Sequence, residues 1–196
     1  MQLHKRDVVE AATTLLDNYG IADLSMRRLA RELAVSPGAL YWHFANKQQL
    51  LGAVADRILQ PVNNQAGPLP EPGHWRESIA RTCEQLREAL LSYTDGAELV
   101  SASFAAGQSK AMSNVLAQLS AAAAEAGVEP NHAELAARSV IYYALGFTAD
   151  EQSRMQWDAA GADVTHTIWT ENPTARFAFG LSLLVDGIAT HSRTDA

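Results

Sequence analysis

Apolar side chains recur three or four positions apart along nearly the whole of this chain, as in Val8, Ala12, Leu15 and Leu16, or Trp75, Ile79, Cys83, Leu86 and Leu90. That spacing places them on one face of a helix with 3.6 residues per turn, so the chain must bury helices against helices. No convincing strand pair, internal repeat or low-complexity tract is present. The pattern predicts an all-α fold, with a small N-terminal three-helix helix-turn-helix domain and a larger C-terminal helical domain.

The first helix is expected over Lys5 to Tyr19, with Val8, Ala12, Leu15, Leu16 and Tyr19 on its buried face and Gly20 as its stop. Three short helices follow, each opened by a side chain that can accept hydrogen bonds from early backbone N–H groups. Ser25, with Leu24 and Leu29 as a hydrophobic staple, opens one that runs to about Leu33. Ser36 opens the next, to about Phe44, with Pro37 at its first position and Val35 and Leu40 as the staple. Asn46, with Gln49 as in a capping box, opens a helix whose stripe is Leu50, Leu51, Val54 and Ile58. Two helices meeting across Ala34-Val35-Ser36 give helix-turn-helix geometry.

Between Gln60 and Gly73, Pro61, Gly67, Pro68, Pro70, Pro72 and Gly73 rule out continuous helix. Domains are therefore expected at 1–60 and 74–196, with a linker at about 61–73. In the second, helices are expected at about His74 to Tyr93, Ala97 to Phe104 and Ser109 to Ala126. A further one runs from Asn131, capped with Glu134, to Met155, and the last from Asn172-Pro173 to His191. A short helix around Val164 to Trp169 is a further expectation.

The net charge of -7 is at first sight wrong for a nucleic-acid partner. Its distribution reverses that impression. Residues 1–60 carry seven basic and six acidic side chains and are therefore +1, which leaves -8 on the remainder. A near-neutral N-terminal unit with clustered cations on an acidic body fits DNA contact at one end. No run approaches the roughly 18 apolar residues of a membrane span, and MQLHKRDVVEAA lacks the apolar stretch of a signal peptide, so a cytoplasmic protein is expected. Cys83, the one cysteine, excludes an intramolecular disulfide framework and reads as a core residue. His4, His43, His74, His132, His166 and His191 are scattered, with no i, i+4 pair for a metal. Gly180-Leu-Ser-Leu-Leu resembles the start of a nucleophile elbow but lacks its second glycine and sits in a helical pattern, so Ser182 is ordinary. With no acid–base pair, nucleophile, phosphate loop or cofactor motif, the chain is not expected to be an enzyme.

In a helix-turn-helix the second helix enters the major groove, and small residues at its start allow close approach to base edges. Pro37, Gly38 and Ala39 after Ser36 suit that place, and Tyr41, Trp42 and His43 add polar tips that reach bases or phosphates. Lys47 at a helix start can hold a phosphate together with backbone amides. Arg27, Arg28 and Arg31 lie on the preceding helix, which crosses the backbone. Taken alone, Tyr41 and Trp42 would be packing residues and the arginines a solvated face. Their position assigns Tyr41 and Arg27 to DNA and leaves Trp42 and Arg28 open between the two roles. Leu29, Ala30, Leu33, Val35, Leu40 and Phe44 are the core that holds the recognition helix.

The run L-S-M-R-R-L-A-R-E-L-A-V-S-P-G-A-L-Y-W-H-F-x-N-K, from Leu24 to Lys47, resembles the DNA-binding domain of the tetracycline-repressor (TetR) family, and the match covers the first sixty residues. The resemblance implies an all-helical homodimer with a ligand-binding and dimerising body, which binds a palindromic double-stranded DNA operator and is released by a small-molecule effector. Ala89 to Glu98 and Leu145 to Gln152 are similar to the tetracycline-repressor subgroup itself. The drug-contacting histidines of that subgroup fall here on Asn63 and Val100, and its polar pocket positions on Thr82 and Leu86. Magnesium-tetracycline chemistry is therefore expected to be absent. Gly38 replaces a larger residue common in the relatives. The helices from Asn131 and Asn172 would form a two-fold four-helix interface through small and apolar residues such as Ala136, Ala137, Ala144, Gly180 and Leu184.

For the effector, Asn63, Thr82, Leu86, Val100, Ser103, Phe104, Leu116, Tyr143 and Phe147 are the candidate pocket residues, with Tyr93, Trp157 and Trp169 as further aromatics. Each alone reads as plain core. As a set they favour an apolar or aromatic ligand. Activation is as compatible with these residues as repression, and an architectural DNA-binder is disfavoured by the long, capped, apolar body.

Overall fold

The computed structural model describes residues 3–64, 73–162 and 172–191, with ten α-helices and no strand among them. The first four form a compact unit: α1 (Lys5–Tyr19), α2 (Met26–Glu32), α3 (Pro37–Tyr41) and α4 (Lys47–Ile58). Their starts follow the capping chemistry. Ser25 Oγ accepts from Arg28 N–H at 3.2 Å, Ser36 Oγ from Ala39 N–H at 3.3 Å and Asn46 Oδ1 from Gln49 N–H at 2.9 Å. Gly20 ends α1 with a φ of 77°, a value that suits a residue without Cβ. Leu16, Leu24, Leu29, Leu40, Phe44 and Leu50 are all buried and hold the three short helices together.

Two details of this unit depart from expectation. The recognition helix is one turn and a half, Pro37–Tyr41, rather than reaching Phe44, because Trp42 caps it and the chain turns towards α4. Tyr19 is exposed rather than core: its ring lies outside the apolar face, under the Arg28 guanidinium at 4.0 Å.

The other helices are α5 (Gln60–Asn64), α6 (Trp75–Leu91), α7 (Gly96–Ala105), α8 (Lys110–Glu125), α9 (Pro130–Ala159) and α10 (Pro173–Thr190). α5 is a single turn where a break was expected, since a proline at position 61 is tolerated in a first turn. The rest of the expected linker, residues 65–72, and the expected helix Val164 to Trp169 lie outside the described residues. α9 begins at Pro130, not at an Asn131 cap, because proline at the first helical position sets φ there. Glu134 instead accepts from Arg138 Nε at 2.8 Å. Cys83 is fully buried in α6, where loss of water pushes its thiol up to about 12 and keeps it neutral. Among the described residues no helix is long and apolar enough to cross a membrane.

α4 packs against α1 on one side and against α7 and α8 on the other, and one apolar core runs from Val8 to Ile188. At Gly52 a Cβ would overlap the carbonyl of Gln108, so the α4 backbone rests directly on the α7–α8 turn. One helical turn on, Asp56 accepts from Ser109 Oγ at 2.8 Å and from Ala111 N–H at 2.9 Å, at the start of α8. A second junction joins the α1–α2 turn to the body. Asp95 accepts from Ile21 N–H at 2.9 Å and from Gln156 Nε2 at 2.6 Å, while Asp17 accepts from Thr94 N–H at 3.0 Å. Displacing α4 or the α1–α2 turn therefore breaks hydrogen bonds to the body.

Candidate nucleic-acid interface and effector region

The residues expected to meet DNA lie on α2, on α3 and its two flanks, and at the first position of α4. Ser36, Pro37, Gly38 and Tyr41 are exposed, Ala39, His43 and Lys47 are half-buried, and Trp42 is 91% exposed. Leu40 alone in α3 is buried, and with Phe44 it pins the helix to the core from below. Gly38 meets no neighbouring side chain except Ser36 Oγ, so the surface around it is open to close approach. Arg27 and Arg31 project into solvent. Arg28 is held: its guanidinium stacks on Tyr19 and pairs with Asp23.

The expected pocket residues do not gather in one described cavity. Tyr143 and Phe147 line an open groove of about 1110 Å³ between α9 and α10, shared with Tyr142, Gly146, Phe179 and Leu183 and rimmed by Asp150 and Arg154. Tyr143, Phe147 and Phe177 form a ring cluster with centroids 5.3 to 5.8 Å apart. Tyr143 Oη donates to the Phe177 carbonyl at 2.9 Å, and burial raises its phenol so that it stays a donor. Phe104 sits elsewhere, against Tyr142 at 6.2 Å and under Arg138 at 5.3 Å. Leu86 and Val100 are fully buried core, and Leu116 is half-buried. Thr82 spends its hydroxyl proton on the Ser78 carbonyl, and Asn63 bonds to the Leu59 carbonyl and to Asn114. Ser103 differs from these, because its buried hydroxyl oxygen has no hydrogen-bond partner among the described residues.

On α9 and α10 the small residues divide by helical phase. Ala137 and Ala144 face the chain's own core, whereas Leu135, Tyr142, Phe179 and Leu183 are exposed large apolar side chains. Ala136, Gly180 and Leu184 are half-buried between these two faces. This exposed apolar surface was not legible from small-residue spacing alone. Its signal is the row Leu135, Tyr142 on α9 and Phe179, Leu183 on α10, each at one-turn or two-turn separation.

A family model described as bacterial regulatory proteins, tetR family, matches residues 8–54, the stretch that contains the capped helix-turn-helix, and a tetracyclin repressor-like C-terminal domain model matches residues 67–168. The chain belongs to the TetR family. It is thus a member of a family of transcriptional regulators and not of enzymes. The tetracycline repressor protein class A from transposon 1721 of Escherichia coli is 32% identical, over 96% of this chain and 91% of its own length. Among solved structures, Mycobacterium smegmatis BioQ is 60% identical with a TM-score of 0.88, covering 97% of this chain and all of BioQ. A structure of BioQ with its double-stranded DNA operator is 58% identical with a TM-score of 0.83, over 97% of this chain and all of that one. As a TetR-family member, the chain meets the expectation of an all-α regulator with an N-terminal helix-turn-helix.

Proposed function

We propose that the protein is a ligand-released transcriptional repressor that acts in the cytoplasm as a homodimer on a palindromic DNA operator. Residues 1–60 form the DNA-binding domain and 74–196 the effector-binding and dimerising domain. Arg27, Arg28, Ser36, Pro37, Gly38, Ala39, Tyr41, Trp42, His43 and Lys47 contact the duplex. The observation that carries this reading is the recognition helix itself. Its outward residues stand free in solvent, with Trp42 91% exposed, while Leu40 and Phe44 anchor it in a rigid core. The relative with its operator supports the same partner.

Dimerisation runs through α9 and α10, whose outward Leu135, Tyr142, Phe179 and Leu183 are apolar enough to need a cover. A two-fold axis there sets two recognition helices about one DNA turn apart. Ligand in the body selects a conformer in which that spacing is wrong. α4 transmits the change, since Gly52 and Asp56 couple it to the α7–α8 turn. The effector is apolar or aromatic, in keeping with the apolar and aromatic side chains that fill the body.

Gel shift on the intergenic DNA upstream of the protein's own gene tests this reading. Binding is expected to be salt-sensitive and to vanish in the Tyr41→Ala, Lys47→Ala double variant, and an unchanged shift overturns the assignment. In calorimetry, apolar or aromatic compounds are expected to bind and to release the DNA. Tight binding of highly charged metabolites alone would overturn the effector class.

A further inference from the structure

The first turn of α1 carries a cation that lies outside the helix-turn-helix motif, Lys5. The ammonium of Lys5 lies 4.8 Å from the centroid of the Phe44 ring. Phe44 is buried, and it sits at the corner between α3 and α4, two residues before the Asn46 cap and three before Lys47. Lys5 itself is exposed. A ring face attracts a cation without using its N–H donors, so the contact directs the ammonium while leaving three donors for another acceptor. The neighbouring Arg6 is turned elsewhere, with Nε 4.0 Å from the Asp7 carboxylate, and Asp7 also accepts from the backbone N–H of His4 at 3.0 Å. Of the two adjacent cations, Lys5 is therefore the one set at the α3–α4 corner.

We propose that Lys5 is a phosphate contact of the DNA surface, held there by the ring of Phe44. This rests on the DNA-binding reading above and extends that surface to a helix outside the motif. Lys47, the first residue of α4, follows Phe44 by three positions, so a second cation of the chain enters at the same corner in sequence. An ammonium group suits a backbone phosphate, a contact that fixes register and reads no sequence. Each phosphate neutralised releases a counterion and adds affinity independent of sequence.

The test is a salt titration of full-length protein on two labelled duplexes, the upstream intergenic DNA and a scrambled duplex of equal length. Lys5→Gln is expected to weaken both alike and to lower the slope of log affinity against log salt by about one. Between roughly 50 and 200 mM salt, the affinity loss then shrinks by about threefold. Lys5→Arg keeps the unaltered slope, and Lys110→Gln on α8 serves as a charge control that leaves it unchanged. Lys47→Gln separates the two readings. If Lys47→Gln lowers the slope and Lys5→Gln does not, the contact assigned to Lys5 is wrong while the DNA surface stands. If Lys47→Gln and Tyr41→Ala are both without effect, the DNA-binding reading falls and the Lys5 contact with it.

Discussion

Replacing Phe179 and Leu183 together by glutamate is expected to turn the protein into a monomer and to reduce operator affinity by at least about a thousandfold. The two side chains are 66% and 59% exposed, so neither contributes to the core of one chain, and helicity should survive the change. Their place is the outer face of α10, on the large groove shared with Tyr142 and Phe147 of α9. In a two-fold dimer this face meets its own copy, so each substitution puts two carboxylates into the seam. Buried unpaired charges cost several kcal/mol each, and like charges across the axis add repulsion. Operator binding fails as a consequence of lost valency. A specific complex at roughly 10⁻⁸ to 10⁻¹¹ M falls towards the roughly 10⁻⁴ to 10⁻⁶ M of non-specific contact when only one half-site is held. Light scattering coupled to size exclusion reads the mass, and a gel shift reads the affinity. A variant that stays dimeric would place the interface elsewhere.

Why some of this was legible in the sequence and some was not follows from the range of each interaction. Ser25, Ser36 and Asn46 were readable as caps because a cap bonds a backbone N–H only two or three residues away. The same reasoning misplaced the start of α9, where Asn131 and Glu134 imitate a capping box but Pro130 has already set the helix. Tyr19 followed the apolar period yet left the core, because an arginine on the next helix stacks on it. Junctions such as Asp56 with Ser109, or Asp95 with Ile21, join residues 53 and 74 positions apart. In the sequence each of those carboxylates is indistinguishable from a solvated one. The candidate pocket had the opposite difficulty. Apolar residues at helical spacing mark burial equally well against a neighbouring helix, as for Leu86 and Val100, or on the wall of a groove, as for Tyr143 and Phe147. Only the fold separates those two outcomes.

Removing the guanidinium of Arg87 is expected to destabilise the protein more than any surface change, by about 3–5 kcal/mol. Arg87 on α6 meets Glu151 on α9 in a two-pronged pair, with Nε to Oε2 at 2.8 Å and Nη2 to Oε1 at 2.6 Å. Its Nη1 also reaches Thr174 Oγ1 of α10 at 3.5 Å, and the guanidinium lies 5.4 Å from the Phe177 ring centroid. The side chains are only 11% and 13% exposed, so water screens the pair poorly. Arg87→Ala would leave the Glu151 carboxylate in that site without a counter-charge, and Arg87→Lys would restore charge but not the planar two-pronged fit. Urea denaturation should therefore rank unaltered protein above Arg87→Lys, and Arg87→Lys above Arg87→Ala. The double variant Arg87→Met, Glu151→Leu should recover most of the loss, because it removes both charges and keeps the volume. That recovery separates the cost of an orphaned carboxylate from the worth of the pair. If the double variant is as unstable as Arg87→Ala, the pair itself holds α6, α9 and α10 together.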